Sequence, residues 1–263
     1  MMRALRWAAA CILAGVALAV FAPTILTSVD PLATDPAAAF TAPGPGHLLG
    51  TDQVGRDLWA RVVHGSASTV LSGLAATAAA LICGGVLGLL SAFGPGPVRA
   101  LFLRITEVAL AIPEFLLALL LVAVIGAGPT GVAIAVAVAA FPGYARVAAL
   151  SAREVIGSPA VEAARLVGVG PARRFFVHVL PRVARPLGSL AAAGTAFAML
   201  SIAGLTFLGL GVSPPSPDWG AMLAEGQGFV SRGWWIVVFP GLALVVTVGA
   251  LTVLARAAQE DRA

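Results

Sequence analysis

Six apolar runs separated by polar segments organise the chain: Trp7–Leu26, Ser66–Phe93, Ile105–Ile125, Val132–Leu150, Leu187–Gly211 and Trp234–Leu254. Each is close to or longer than the ~20 residues a helix needs to cross a hydrocarbon core of about 30 Å. Inside lipid no water satisfies the backbone, so such runs predict helices rather than open strands. The pattern predicts an all-α integral membrane protein with about six transmembrane helices.

The polar segments differ in kind. Asp30–Pro45 carries Pro31, Pro36, Pro43 and Pro45 and reads as irregular loop. In Gly46–Gly65, GHLLGTDQVGRDLWARVVHG, Gly50, Asp52, Gly55, Arg56 and Asp57 make a turn-rich polar cluster. Leu58–His64 then reads as a short amphipathic surface helix, with Asp57 as its N-terminal cap. Gly84, Gly85 and Gly88 mark a tightly packed face of the second run, because small residues let helices approach closely in lipid. The third run is interrupted by Pro113, which removes a backbone donor and bends a helix. Glu114 follows it, and a carboxylate at membrane depth is costly enough to face a cavity or a partner. Two readings of Glu114 stay open: pairing with an Arg or a helix end between subunits, or a place in a pathway. Gly94–Arg99 and Gly126–Gly131 are short turns. Val212–Leu223, VSPPSPDWGAML, reads as a rigid rim, with Trp219, Trp234 and Trp235 expected at headgroup level.

The longest polar segment, Ser151–Pro186, has a helical rhythm of its own. Ser158 is the expected cap and Pro159 the first helical residue, with Val161, Ala164, Leu166 and Val169 towards one side. Gly168 and Gly170–Pro171 stop that helix. A second is expected from Ala172, with Phe175, Phe176, Val179 and Leu180 apolar, Arg173 and Arg174 exposed, and Pro181 as its breaker. Spacing alone fits two roles equally: a docking element for a partner's groove, or a basic amphipathic loop on anionic lipid.

Composition and charge sharpen the class. The 263 residues are 59% hydrophobic and 11% charged, against about 25% charged in soluble domains. The net charge of +4 sits in short segments between apolar runs, a distribution suited to a membrane rather than to nucleic acid. Arg3, Arg6, Arg99, Arg104, Arg146, Arg153, Arg165, Arg173, Arg174, Arg182, Arg185, Arg256 and Arg262 fall on one side of the six-span topology. Arg56, Arg61 and Arg232 fall on the other. Positive residues favour the cytoplasm, so both termini are expected there. All 16 basic residues are Arg, which excludes a GxxxxGK[ST] phosphate loop and a Schiff-base lysine on this chain. Cys11 and Cys83 lie in apolar runs without metal-ligand spacing. His47, His64 and His178 occupy separate segments, and no catalytic or metal constellation is expected.

Glu162–Ala163–Ala164, then Gly168, then Val179–Leu180–Pro181 resembles the signature of the permease subunits of ABC importers. The segments HLLGTDQVGRD (47–57), AIP (111–113), HVLP (178–181), FLGLG (207–211) and PPSPDWGAML (214–223) narrow the resemblance. It is to the C-type permease of the dipeptide/oligopeptide/nickel importers. Ile202 stands near a place where that family often has an acidic residue, and Arg182 where it commonly has Asn.

The resemblance implies a type I importer permease of the bacterial cell membrane. Residues 1–65 would form the N-terminal helix and extracytoplasmic segment, and 66–263 the permease domain, with its coupling loop at about 151–186. It implies that Glu162, Ala163, Ala164, Arg165, Gly168, Leu180 and Pro181 couple to an ATPase. Gly50, Asp52, Gly55, Arg56, Asp57, Pro215 and Trp219 would form an outer rim or a docking site for a binding protein. The implied partners are a second homologous permease, two ABC ATPase subunits (or one fused), an extracytoplasmic solute-binding protein and membrane lipid. ATP and Mg would sit on the ATPase subunits, leaving this chain non-catalytic and without a cofactor. The implied cargo is a peptide; nickel or haem-like ligands are the alternative within the family, and a secondary transporter is the rival outside it.

Overall fold

The computed structural model describes residues 2–260, and Arg262 lies outside the described residues. The chain is built from helices: α1 Met2–Phe21, α2 Pro23–Leu26, α3 Leu58–Phe93, α4 Gly96–Leu110, α5 Glu114–Ile125 and α6 Pro129–Ile156. They are followed by α7 Pro159–Leu166, α8 Pro171–Arg174, α9 Leu180–Phe207, α10 Trp219–Gly226 and α11 Trp235–Glu260. Among the described residues five helical stretches are long and apolar enough to cross a membrane, or six if the bent pair α4–α5 is one span. The Arg3–Arg6–Trp7 end of α1 shares a surface groove with Leu254 of α11, so the start of α1 and the later part of α11 lie on the same side of the bundle.

Three expectations change. The short surface helix Leu58–His64 and the second span are one helix, the 36-residue α3, in which residues 65 and 66 are interior positions. Nothing at Gly65–Ser66 breaks helix geometry, and at 1.5 Å per residue α3 is about 54 Å long, well beyond a hydrocarbon core. The third span is broken rather than merely bent: α4 and α5 meet at 98° across Ala111–Pro113. Pro113 disfavours helical geometry at Ile112, which sets the break there. Conversely, Pro181 does not end a helix. Phe175–Val179 forms a π-helical turn between α8 and α9, and the Leu180 N–H reaches back five residues to the Phe175 carbonyl. The wide turn absorbs the proline, which then sits in the first turn of α9, where a missing N–H is cheap.

The bundle centres on α3 and α6, with α9 against both, α5 against α6, and α1 and α11 as a pair. The buried face of α6 is mostly small: Ala135, Ala139, Ala145, Ala148, Ala149 and Ala152. Lipid offers no hydrophobic gain for joining helices, so close van der Waals packing of small residues must hold them. Gly84 and Gly88 of α3 provide it. A Cβ on Gly84 would stand 2.5 Å from the Phe141 carbonyl oxygen, and one on Gly88 would collide with the Ala145 carbonyl and Ala148. Gly85 is not on this contact; its nearest neighbour would be Leu187 at an ordinary 3.6 Å.

Gly88→Val is therefore expected to lower stability by about 1–3 kcal/mol through overpacking. Gly249→Val in α11, where a Cβ meets nothing within 4 Å, should be nearly silent. Thermal unfolding of the two variants in the same detergent checks the contrast.

Candidate functional site

Three sites follow one another along the bundle. At the arginine-rich end, α7 packs against α6 and α8. Pro159 opens α7, as expected, and Ser158 takes the cap position, but its hydroxyl makes no capping bond. Val161 and Ala164 are the buried residues of α7. They follow helical spacing, and Val161 joins a core cluster with Val155, Val179 and Val183. Leu166 was expected on that side too; it is 81% exposed, and Val167 is 79% exposed. Leu166 is five residues beyond Val161, which rotates it some 140° away.

The outward face of α7 thus carries Glu162, Ala163, Arg165 and Leu166. Its end is a two-bond stop: the Val169 N–H donates to the Ala164 carbonyl at 2.9 Å and the Gly168 N–H to the Arg165 carbonyl at 3.1 Å. Gly168 has φ +80°, the left-handed geometry this stop needs. Of the expected coupling residues, Glu162, Ala163, Arg165, Gly168 and Pro181 are exposed, Leu180 is half-buried and Ala164 is buried as the helix's foot. Phe175 packs edge-on against Phe93 at the end of α3, while Phe176 is 63% exposed. Arg173 is exposed and Arg174 half-buried.

At the opposite end, the expected docking rim is mostly interior. Gly50, Asp52, Gly55, Arg56, Asp57 and Trp219 are buried, and of that set Pro215 alone is exposed. The reason is a charge cluster whose members pair with one another. Asp52 accepts the Arg56 Nε–H at 2.6 Å and the Arg56 and Val54 backbone N–H groups at 3.0 Å. Arg61 donates to Glu225 at 2.7 Å and to the Pro215 carbonyl at 3.1 Å, and Arg56 reaches Glu225 at 3.3 Å. Asp57 caps α3 as expected, accepting the Ala60 N–H at 2.8 Å, while its other oxygen meets His47 Nδ1 at 2.9 Å. Asp218 caps α10 and also accepts the Ser68 and Thr69 hydroxyls.

Trp219 and Trp235 are interior side chains, whereas Trp234 is 52% exposed. They are 2% and 7% exposed, and their indole N–H groups donate to the Val62 and Thr51 carbonyls. Arg61, Asp218 and Glu225 escaped the sequence reading. The one local signal was an Arg four residues beyond Asp57, at the head of an apolar helix.

Between the two ends, Glu114 lines a cavity of about 230 Å³ with Thr77 and Tyr144. It opens α5 and has no ion-pair partner among the described residues, so pairing with an Arg within this chain is not what the structure contains. No group of three or more His, Cys, Asp or Glu side chains suited to a metal occurs among the described residues.

Comparison with known proteins places this architecture. Residues 84–261 match the family described as the binding-protein-dependent transport system inner membrane component. The chain is 41% identical to the di/tripeptide transport system permease protein of Pseudomonas aeruginosa over 207 residues, 79% of this chain and 68% of the relative. It is 37% identical to the probable D,D-dipeptide transport system permease protein of Escherichia coli K12 over 228 residues, 87% of this chain and 76% of the relative. The dipeptide transport system permease protein of the same strain is 38% identical over 208 residues, 79% of this chain and 69% of the relative.

Proposed function

We propose that this chain, which belongs to the family of binding-protein-dependent transport system inner membrane components and is a multi-pass ABC importer permease of the bacterial inner membrane, carries peptides of two or a few residues. It forms half of the translocation path and pairs with a second, homologous permease. An extracytoplasmic binding protein delivers the cargo, and two ATPase subunits (or one fused) bind ATP and Mg and hydrolyse ATP. This chain performs no chemistry itself and holds no cofactor.

The observation that carries the coupling role is the outward face of α7. Glu162, Ala163, Arg165 and Leu166 protrude from a short helix whose opposite side, Val161 and Ala164, is buried, with Val161 in the core cluster of Val155, Val179 and Val183. An exposed apolar-and-charged ridge on a seated helix suits a protein groove better than bulk water. ATP-driven closure of the ATPase subunits would push this ridge and shift the permease pair between inward-open and outward-open populations. The outer face that receives the binding protein carries the exposed Leu48, Val54 and Pro215, from the same segments as the buried charge cluster.

Purification of the assembled transporter with its binding protein tests the reading. The expected result is an ATPase subunit in the complex, and short peptides in the mass spectrum of ligand released from the binding protein. A nickel chelate or haem-like ligand would move the cargo to the other branch of the family. A functional transporter without a nucleotide-binding subunit would sink the reading altogether.

A further inference from the structure

We infer that Glu114, Thr77 and Tyr144 form a subsite for the α-ammonium group of the passing peptide, a claim that rests on the peptide-permease reading above. The three line one cavity of about 230 Å³ whose remaining walls are small or apolar, including Gly143 and Gly194. Its depth follows from the helices that build it. Thr77 lies 19 residues from Leu58 and 16 from Phe93 in α3. Tyr144 lies 15 residues from Pro129 and 12 from Ile156 in α6. Gly194 lies 14 residues from Leu180 and 13 from Phe207 in α9. The cavity is therefore midway along all three helices. Glu114 comes to it from the break between α4 and α5, where it is exposed on the single chain.

Two further observations point to a ligand. Thr77 and Tyr144 are 5% and 4% exposed, yet neither hydroxyl has a hydrogen-bond partner among the described residues. Buried polar groups are nearly always paired, so two orphans on residues that line one cavity with an unpaired carboxylate call for a donor from outside the chain. The Tyr144 hydroxyl has room because α9 places Gly194 there; a Cβ at that position would collide with it.

The donor must be cationic, since an isolated carboxylate at membrane depth demands opposite charge. An ammonium offers three donors and no acceptor, matching one carboxylate and two hydroxyl oxygens. A divalent metal would want six or more oxygens, several of them charged. The chain has no lysine of its own to fill the place.

The complete transporter, reconstituted in vesicles with its binding protein, provides the test. Thr77→Cys is introduced together with Cys11→Ala and Cys83→Ala, and labelling of this chain is followed by mass. The probes are a cationic trimethylammonium-ethyl and an anionic sulfonatoethyl methanethiosulfonate. After normalisation to free cysteine, the cationic reagent should react at least about tenfold faster, because a one-signed cleft concentrates counter-ions. Adding Glu114→Gln should bring the ratio close to unity. Dialanine during ATP-driven turnover should slow the cationic reaction.

With native Thr77, Glu114→Gln should lower maximal dialanine uptake about tenfold, the cost of losing a charged hydrogen-bond partner. Glu114→Asp should restore most of it, which a purely structural role would not require. Equal normalised labelling rates, or undiminished uptake by Glu114→Gln, would overturn the subsite. Charge-selective labelling in wild-type-derived vesicles that import no dialanine would instead overturn the peptide reading, and the ammonium assignment with it.

Discussion

Glu162→Lys is expected to abolish ATP-driven uptake while leaving the chain folded, inserted and assembled with its permease partner. Glu162 is exposed on the outward face of α7 and makes no ion pair among the described residues. Its contribution within the chain is limited to a favourable position in the first turn of the helix, worth at most about 1 kcal/mol. Reversing its charge therefore costs the isolated subunit little. In contact with basic groups of an ATPase the same change replaces attraction by repulsion, which costs several kcal/mol when like charges are pressed together at an interface.

Gly168→Trp should give the same loss by another route. At φ +80° any side chain strains the turn that ends α7, and an indole there would also stand between the ridge and its groove. Leu166→Ser is the milder companion, since it removes an 81% exposed apolar side chain with no core contact to lose. It should weaken ATPase binding without lowering thermal stability. Uptake, ATPase stimulation by loaded binding protein, and co-purification of the ATPase separate these effects. Normal uptake by Glu162→Lys and Gly168→Trp together would remove α7 from the coupling path.

The membrane helices were legible because a long apolar run has one good solution in lipid, and local signals such as Asp57, Pro159 and Gly168 act within a turn or two of where they stand. What failed to show was long-range. Asp52 and Arg56 read as a wet rim because polar clusters between spans usually face water. Their burial depends on Glu225, which lies 169 residues beyond Arg56, and no local pattern announces that pairing. Pro181 read as a breaker because the π-helical turn that accommodates it has no sequence signature of its own. Leu166 read as lying on one side with Val161 and Ala164 because apolar character alone groups the three; an eight-residue helix seated by Val161 and Ala164 has only a narrow buried stripe. Glu114 announced itself by charge alone, while Thr77 and Tyr144 are unremarkable until the bundle brings them to the same cavity.

Arg61→Ala should be among the most destabilising substitutions in the chain, by about 3–5 kcal/mol, the usual cost of removing one member of a buried ion cluster. Arg61 is 1% exposed and bridges the start of α3 to Glu225 of α10 and the Pro215 carbonyl, with Asp52 3.7 Å from its Nε. Arg56 and Arg61 alternate with Asp52 and Glu225, so the four charges balance. Removing Arg61 leaves two carboxylates facing one guanidinium in a site where Asp52 is buried and Glu225 is only 13% exposed. Glu225→Ala alone should also be costly, leaving two guanidinium groups facing Asp52. The double variant Arg61→Ala/Glu225→Ala leaves the Arg56–Asp52 pair, bonded at 2.6 Å, as a neutral unit. Its loss should therefore fall short of the sum of the single losses by about 0.5–3 kcal/mol. Because the cluster is buried, the coupling should change little between low and high salt. Arg104→Ala provides the contrast, since its pair with Glu107 is 83% and 58% exposed and should contribute nothing measurable. Unfolding of the four variants in detergent, with Arg61→Ala/Glu225→Ala closing the cycle, measures both effects. Strict additivity would mean that Arg61 and Glu225 do not act as a pair, and that α3 and α10 are joined at this end of the bundle by Asp218 and the buried indoles instead.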